Sequence, residues 1–453
     1  MLKKVLISLL LIACVLVTVS QLLAAKYKYD VTQSYQYALN NSTHTEFQVQ
    51  FNQGDFSFNS PEKWDTGFII LKVKSDLTGY FSEPFIEIIN QTKKSILTLE
   101  RGVSGERYIN LPNLAKGNAV NLQIVGHHVS ISDQQAKIVL FNNPKLDSQA
   151  KVLIISPHPD DAEIAAFNFY AQHNSMVVTI TAGEAGAHTY ADVFPEIKKH
   201  YQVKGKLRVW NSISTPMLGG IPPEKAINLG YFDGTLMQMF QSKGTAVNSQ
   251  YSGIKDVNYF RQQNISSLMP ETSGSATWGA LVSDLKEILL KFQPDIIVTP
   301  YPALDAHYDH KLSTLAVIEA IKSVQLTDGQ LLLYTNHLTF NDYFPYGQQH
   351  ELVPIPPDFN QSLYFDSIYS FHSASYREKI FALDSMNDLR PDTSWLNISG
   401  GFKVFKDALF NQLLLRDKTY FRKAVRENEL FLSVYFSSLY KQEVIDSLQG
   451  QLN

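Results

Sequence analysis

The sequence predicts an α/β chain in which a domain built on a mostly parallel sheet follows an N-terminal antiparallel β-sandwich. Three features carry that expectation. Before position 150, short strand-like runs recur at roughly ten-residue spacing. After it, near-continuous apolar β runs alternate with helical periodicity, and a strongly apolar leader precedes both regions. At 453 residues the chain exceeds what one hydrophobic core ordinarily serves. The division read from these changes of pattern is 1–25, 26–149 and 150–453.

The leader comes first. "MLKK" supplies positive charge, and "VLISLLLIACVLVTVSQLLAA", Val5 to Ala25, is apolar enough to engage export machinery and about long enough to span a bilayer. Three fates follow: a cleaved signal peptide, a retained membrane anchor, or lipid attachment at Cys14 in "LIAC". Each predicts an exported protein, periplasmic, at the cell surface or membrane-anchored in a bacterium. Cys14 is the only cysteine, so no intramolecular disulfide supports the fold.

Residues 26–149 read as the sandwich. "TEFQVQF", "GFIILKVKS", "PFIEIIN", "SILTLER", "AVNLQIVG" and "AKIVLF" are separated by Gly, Asn, Asp or Pro signals and show frequent alternation. From Lys151, the runs "KVLIIS", "MVVTIT" and "DIIVTPY" alternate with "AEIAAFNFYAQH", "WGALVSDLKEILLKF" and "KLSTLAVIEAIKSV". Apolar strands interleaved with helices predict a Rossmann-like, mostly parallel sheet with helices on both faces. The tail, including "YREKIFALDSMNDL" and "YFRKAVRENELFLSVYF", reads as helical decoration of that domain.

The net charge of −4 offers no electrostatic footprint for nucleic acid. An aromatic share of 12% is accounted for by β-rich cores ahead of sugar-stacking surfaces. The chemistry sits where strands end, and in open α/β sheets ligands bind beyond the carboxyl ends of strands. "KVLIIS" ends in Pro157-His158-Pro159-Asp160-Asp161, "MVVTIT" leads to Glu184 in "AGEAG", and "PDIIVTPY" leads to Asp305, His307, Asp309 and His310. The HxxD spacing lets His158 and Asp161 reach one ion while Asp160 points elsewhere. A catalytic zinc site takes about three protein ligands and leaves a place for water; His310 or His307 supplies the third. Helix capping explains one aspartate before "AEIAAF" but neither the histidine nor the second carboxylate. No nucleophilic Ser or Cys motif competes, and "AGEAG" lacks the lysine of a P-loop.

"PHPDDAEI", "TAGEAG", "LGYFDG" and "AHYDH" resemble, in order and spacing, the motifs of the PIG-L/LmbE-like family of zinc-dependent N-acetylglucosamine deacetylases, over roughly Lys151 to Ser323. The resemblance implies Zn2+, or another divalent ion, held by His158, Asp161 and His310. It implies Asp160 as general base and His307 as the group that stabilises the oxyanion or protonates the leaving amine, with Asp309 orienting a histidine. Glu184, Arg208 and Asp233 fall where the family places substrate-binding residues. The implied partner is an N-acetylated sugar or glycan, with a membrane reached through the N-terminal segment and no nucleic acid. "AAFN" (Ala165 to Asn168) and Tyr308 depart from the family pattern, as does the long segment between Gly220 and Trp278. Two other functions fit the same residues: a non-catalytic carbohydrate-binding envelope protein with a relict site, and a zinc hydrolase of another amide or ester.

Overall fold

The computed structural model describes residues 7–15, 27–39, 42–114, 116–143, 149–271, 274–373, 376–389 and 419–450. Of the leader, only 7–15 falls within these, and it is helical. Among the described residues no helix is long and apolar enough to cross a membrane.

The chain divides into two compact units. The first comprises Met1–Asn142, Leu338–Gly347 and Glu351–Ser362; the second comprises Asn143–His337, Gln348–His350 and Leu363–Asn453. Two pieces of 338–362, which the sequence reading assigns to 150–453, thus belong to the first unit.

In the first unit one sheet runs β1 (His44–Gln50), β9 (Gln135–Phe141), β3 (Thr66–Ser75), β6 (Ser104–Asn110), with β8 (Val129–Ile131) also on β3. The other runs β2 (Asp55–Asn59), β7 (Ala119–His127), β4 (Phe85–Asn90), β5 (Lys93–Thr98). Every pairing is antiparallel. The alternation seen in sequence is realised as burial: β2 buries Phe56 and Phe58 and exposes Asp55, Ser57 and Asn59. Inward side chains of both sheets, among them Phe58, Leu71, Ile88, Leu122 and Ile138, form one core. β2, β6 and β8 are not among the strands read from sequence. They are short or carry Gly, Glu, Arg and Asn at positions where strand formers are expected. A buried pair anchors the preceding chain: Arg107 Nε lies 3.2 Å from Glu100. The same guanidinium donates to the carbonyls of Val31 (2.7 Å) and Gln33 (2.8 Å).

The second unit holds a seven-stranded mixed sheet ordered β12 (Ala226–Tyr231), β11 (Asn174–Thr181), β10 (Lys151–Ser156), β13 (Ile296–Pro300), β14 (Gln330–Tyr334), β16 (Asn428–Tyr435), β15 (Ser367–His372). The first five strands are mutually parallel; the last two pairings are antiparallel. Strand order runs one way from β10 through β11 to β12 and the other way through β13 to β14. The reversal between β10 and β13 opens a crevice at their carboxyl ends, the place where such sheets bind ligands.

Helices join these strands: α1 (Asp161–Tyr170), α2 (Ile197–Ser214), α3 (Leu236–Ser242), α4 (Trp278–Phe292), α5 (Tyr308–Ser323) and α6 (Arg377–Ser385). α4 shows why. Thr277 caps its first turn by accepting from the Ala280 N–H, and Leu281, Leu285, Ile288, Leu289 and Phe292 recur on its buried face.

Two features depart from the sequence reading. The tail "YFRKAVRENELFLSVYF" is a single helical turn, Tyr420–Ala424, followed by strand β16; a short buried apolar run does not distinguish strand from helix by periodicity. α1 breaks at Ala166 (φ −144°). The amides of Asn168 and Phe169 then donate to the buried carboxylate of Glu429 at 3.0 and 2.8 Å, and Lys379 balances that charge at 2.7 Å.

Candidate metal and catalytic site

The turn after β10 and the start of α5 bring three donor atoms together. His158 Nδ1, Asp161 Oδ2 and His310 Nε2 are each 3.2 Å from the other two. Four tetrahedral ligands at ~2.0–2.1 Å from one ion stand about 3.3 Å apart, so this triangle has the spacing of three zinc-type ligands.

The groups behind the triangle decide where its lone pairs face. His310 Nδ1 lies 2.9 Å from Asp305 Oδ2. His158 Nε2 lies 3.3 Å from both Asp233 Oδ1 and Asp309 Oδ2. Each imidazole therefore gives its N–H to a carboxylate and turns its other nitrogen inward, the arrangement that orients metal-bound histidines. Asn336 donates to Asp161 Oδ1 at 2.7 Å and leaves Oδ2 facing the two rings. Two imidazole nitrogens and a carboxylate oxygen converging in a buried space favour a positive charge between them, and the donor set fits a divalent ion.

The electrostatics agree. Burial is the largest influence on His158 and His310 and pushes both pKa values down; the carboxylates outweigh it. Asp233, Asp161 and Asp309 hold His158 well above its usual value, and Asp161 with Asp305 raises His310 to about 10. Burial likewise opposes ionisation of Asp161, but His310 and His158 hold it well below the carboxylate range.

Asp160 and Asp161 part company. α1 begins at Asp161, and the Asp160 side chain makes no capping bond. Its carboxylate turns to Arg208 on α2, which donates from Nη2 at 2.8 Å. Burial raises Asp160 to about 6 against the opposing charge of Arg208. Arg208 is itself fixed by the carbonyls of Pro159 (3.1 Å) and Gly183 (2.9 Å) and by Asp388 (3.4 Å). Gly183 permits this approach: its φ is +65°, and a Cβ there would lie 2.6 Å from Arg208 Nη1.

His307 caps α5. Its Nδ1 accepts the Asp309 N–H at 3.2 Å, which assigns the ring proton to Nε2. Burial, then the neighbouring His158 and His310, lowers its pKa to about 4, so the ring is a neutral donor at neutral pH. Its centroid is 4.7 Å from that of His158. His158, His307 and His310 also form a group close enough to share an ion; the carboxylate-backed pair with Asp161 is the better-oriented set.

The structure thus gathers His158, Asp160, Asp161, Arg208, Asp233, His307, Asp309 and His310 at one crevice. Asp309 faces His158, and also accepts from the amides of Gly234 (2.6 Å) and Leu236 (3.1 Å). Asp233 lies against the same histidine. Glu184 is fully buried, accepting from Ser249 Oγ (2.7 Å) and the Asp233 amide (3.2 Å); burial, then Asp233, raises it to about 8. Asp305, Asn336 and Asp388 complete the cluster without having been singled out for roles. Asn336 had a usable signal, since "TNH" follows β14 just as the other clusters follow their strands. Asp388 is distant in sequence and had none.

With that geometry in view, residues 153–321 match the PIG-L family, described as GlcNAc-PI de-N-acetylase, and the chain carries a PIG-L family domain over that stretch. The family points to a deacetylase-type hydrolase. No curated protein matches the chain. Among solved structures, GalB, the 4-carboxy-2-hydroxymuconate hydratase of Pseudomonas putida KT2440, is 13% identical over 63% of this chain and 97% of its own, with a TM-score of 0.34. A family two carbohydrate esterase from Cellvibrio japonicus is 10% identical over 78% of this chain and 100% of its own, with a TM-score of 0.15. The baseplate tripod of bacteriophage Tuc2009 is 11% identical over 24% and 69%, at 0.17. At such scores the functional reading rests on the site.

Proposed function

We propose that this protein is a zinc-dependent hydrolase that removes the acetyl group from an N-acetylated sugar of the N-acetylglucosamine type. The observation that carries the reading is the triangle of His158 Nδ1, Asp161 Oδ2 and His310 Nε2, with a second carboxylate, Asp160, held just outside it. Zn2+ bound there would acidify a water and polarise an acyl oxygen.

The chain's own groups supply the rest. Asp160, lifted to about 6 by burial, takes a proton from the attacking water and, with that affinity, returns it to the departing nitrogen. Arg208 holds the carboxylate in place and keeps its pKa from rising further. His307, neutral with its proton on Nε2, donates to the developing oxyanion; of its two inferred roles, the capping bond at Nδ1 supports this one. Asp309 and Asp233 orient His158, and Asp305 orients His310. Arg208, Glu184 and Asp233 then serve substrate binding indirectly, by shaping the crevice.

The reading extends to an exported protein, held at or near the envelope by its N-terminal segment. In it a β-sandwich accessory domain precedes a Rossmann-like catalytic domain. Acetate release from a panel of N-acetylated sugars tests the function. The metal-loaded protein releases acetate and Asp160→Ala does not. Equal release by Asp160→Ala, or none by the native protein, removes the proposal.

A further inference from the structure

In the first unit, the outer face of the four-stranded sheet carries a cleft of about 520 Å³. Its polar lining comes from three places. Gln50 and Asn52 lie at the turn between β1 and β2, Ser57 and Asn121 sit opposite each other on β2 and β7, and Gln91 and Gln123 close the far side. The turn, closed by the Asn52–Asp55 bridge, is set by Gln53 and Gly54, both at positive φ (52° and 97°), as a two-residue type I′ turn requires. A Cβ on Gly54 would meet the Ile124 carbonyl at 2.5 Å, so the glycine lets the turn close onto β7. Beyond the turn the depression continues into a second cleft of about 810 Å³ that shares Gln50 and Asn52 and adds Gln53 and Gln134.

Two properties separate this face from an ordinary solvated sheet. Asparagine is a poor strand former, yet Asn121 occupies an outward position inside β7, at the centre of the lining. Where a local preference is overridden without a gain in packing, a function is the usual reason. Second, the side chains of Gln50, Asn52, Asp55, Ser57, Asn121 and Gln123, five of them exposed, form no hydrogen bond to one another or to the rest of the described protein. These donors and acceptors are left for a ligand.

The chemistry of the lining selects the ligand class. It offers carboxamides and a hydroxyl, each both donor and acceptor, with one carboxylate, Asp55, and no lysine or arginine. An anionic ligand finds no countercharge. A wholly apolar one would strand the amides. A peptide strand would pair with backbone at the β2 edge, whereas this cleft presents side chains on the sheet's face. Sugar hydroxyls match the amides, and the half-buried Ile89 in the floor suits the C–H face of a pyranose. We propose that this cleft binds a neutral oligosaccharide, giving the chain a glycan-holding site independent of its hydrolytic one.

The test is isothermal titration of the full chain with chito-, cello- and manno-oligosaccharides, repeated with the double variant Asn121→Ala/Gln123→Ala. Heparin and an unstructured peptide serve as further ligands. At least one neutral oligosaccharide is expected to bind the native chain, with binding unchanged by metal chelation and weakened ~10-fold or more in the double variant, since losing two paired polar contacts has about that effect. The variant's melting temperature should not move. The proposal is overturned if no neutral oligosaccharide binds, if the double variant binds as well as the native chain, or if only heparin or the peptide binds. Binding that disappears on chelation would belong to the catalytic crevice and would also overturn it. Because no step of the test uses acetate release, its failure is distinct from failure of the deacetylase reading.

Discussion

The strand ends of the mixed sheet and the outer face of the four-stranded sheet both concentrate polar side chains, but they treat them in opposite ways. At the strand ends the carboxylates and imidazoles are buried or half-buried and paired: His310 to Asp305, His158 to Asp233 and Asp309, Asp160 to Arg208. On the sheet face the amides are exposed and uncommitted. The first arrangement fixes donor positions and pKa values before a substrate arrives, which is what chemistry on a bond needs. The second gives up preorganisation and keeps polar groups available, which suits holding a hydrated ligand reversibly. Burial and partnering, rather than polar composition, separate the proposed reactive site from the proposed binding surface.

Substitutions that break this contrast should rank by how deeply the altered group is committed. Asp160→Asn removes the proposed base but none of the proposed ligands, so turnover should fall by about 10²–10⁴-fold while metal content, read by elemental analysis, stays at the native level. Arg208→Met strips Asp160 of its cation, leaving Asp388 only Lys204 at 3.1 Å, and should cost about 3–5 kcal/mol in denaturant unfolding. It should also move the acid limb of kcat/KM. In the native enzyme that limb rises with pH through about 6, as Asp160 loses its proton; without the opposing guanidinium the midpoint shifts upward. Asp305→Asn keeps the ligands but loosens His310, and metal affinity measured by competition with a chelator should drop about 10–100-fold. Asn121→Ala on the sheet face should change unfolding stability by no more than ~0.5 kcal/mol, because its side chain has no partner to lose.

Much of the site was legible because strand ends have a sequence signature: an apolar run that stops at His, Asp or Glu. "KVLIISPHPDD" and "DIIVTPYPALDAHYDH" announced themselves in that way. What the sequence did not disclose was direction. Glu184 and Arg208 look like pocket residues, yet one is fully buried against Ser249 and the Asp233 amide and the other is spent on Asp160. Whether a polar side chain faces ligand or scaffold depends on partners far along the chain, such as Ser249 and Asp388, and local spacing carries no record of them. The fold shows the same limit. β10, β11 and β13 were readable as buried runs, whereas β16 resembled a helix until its neighbours β14 and β15 were known.

The central claim is that His158, Asp161 and His310, and not His307, hold the ion. Metal content of the purified protein, compared between His310→Ala and His307→Ala, tests it most directly. The account predicts stoichiometric divalent metal in the native protein and in His307→Ala, and its loss in His310→Ala. A native protein without metal, or a His307→Ala variant as depleted as His310→Ala, would contradict it.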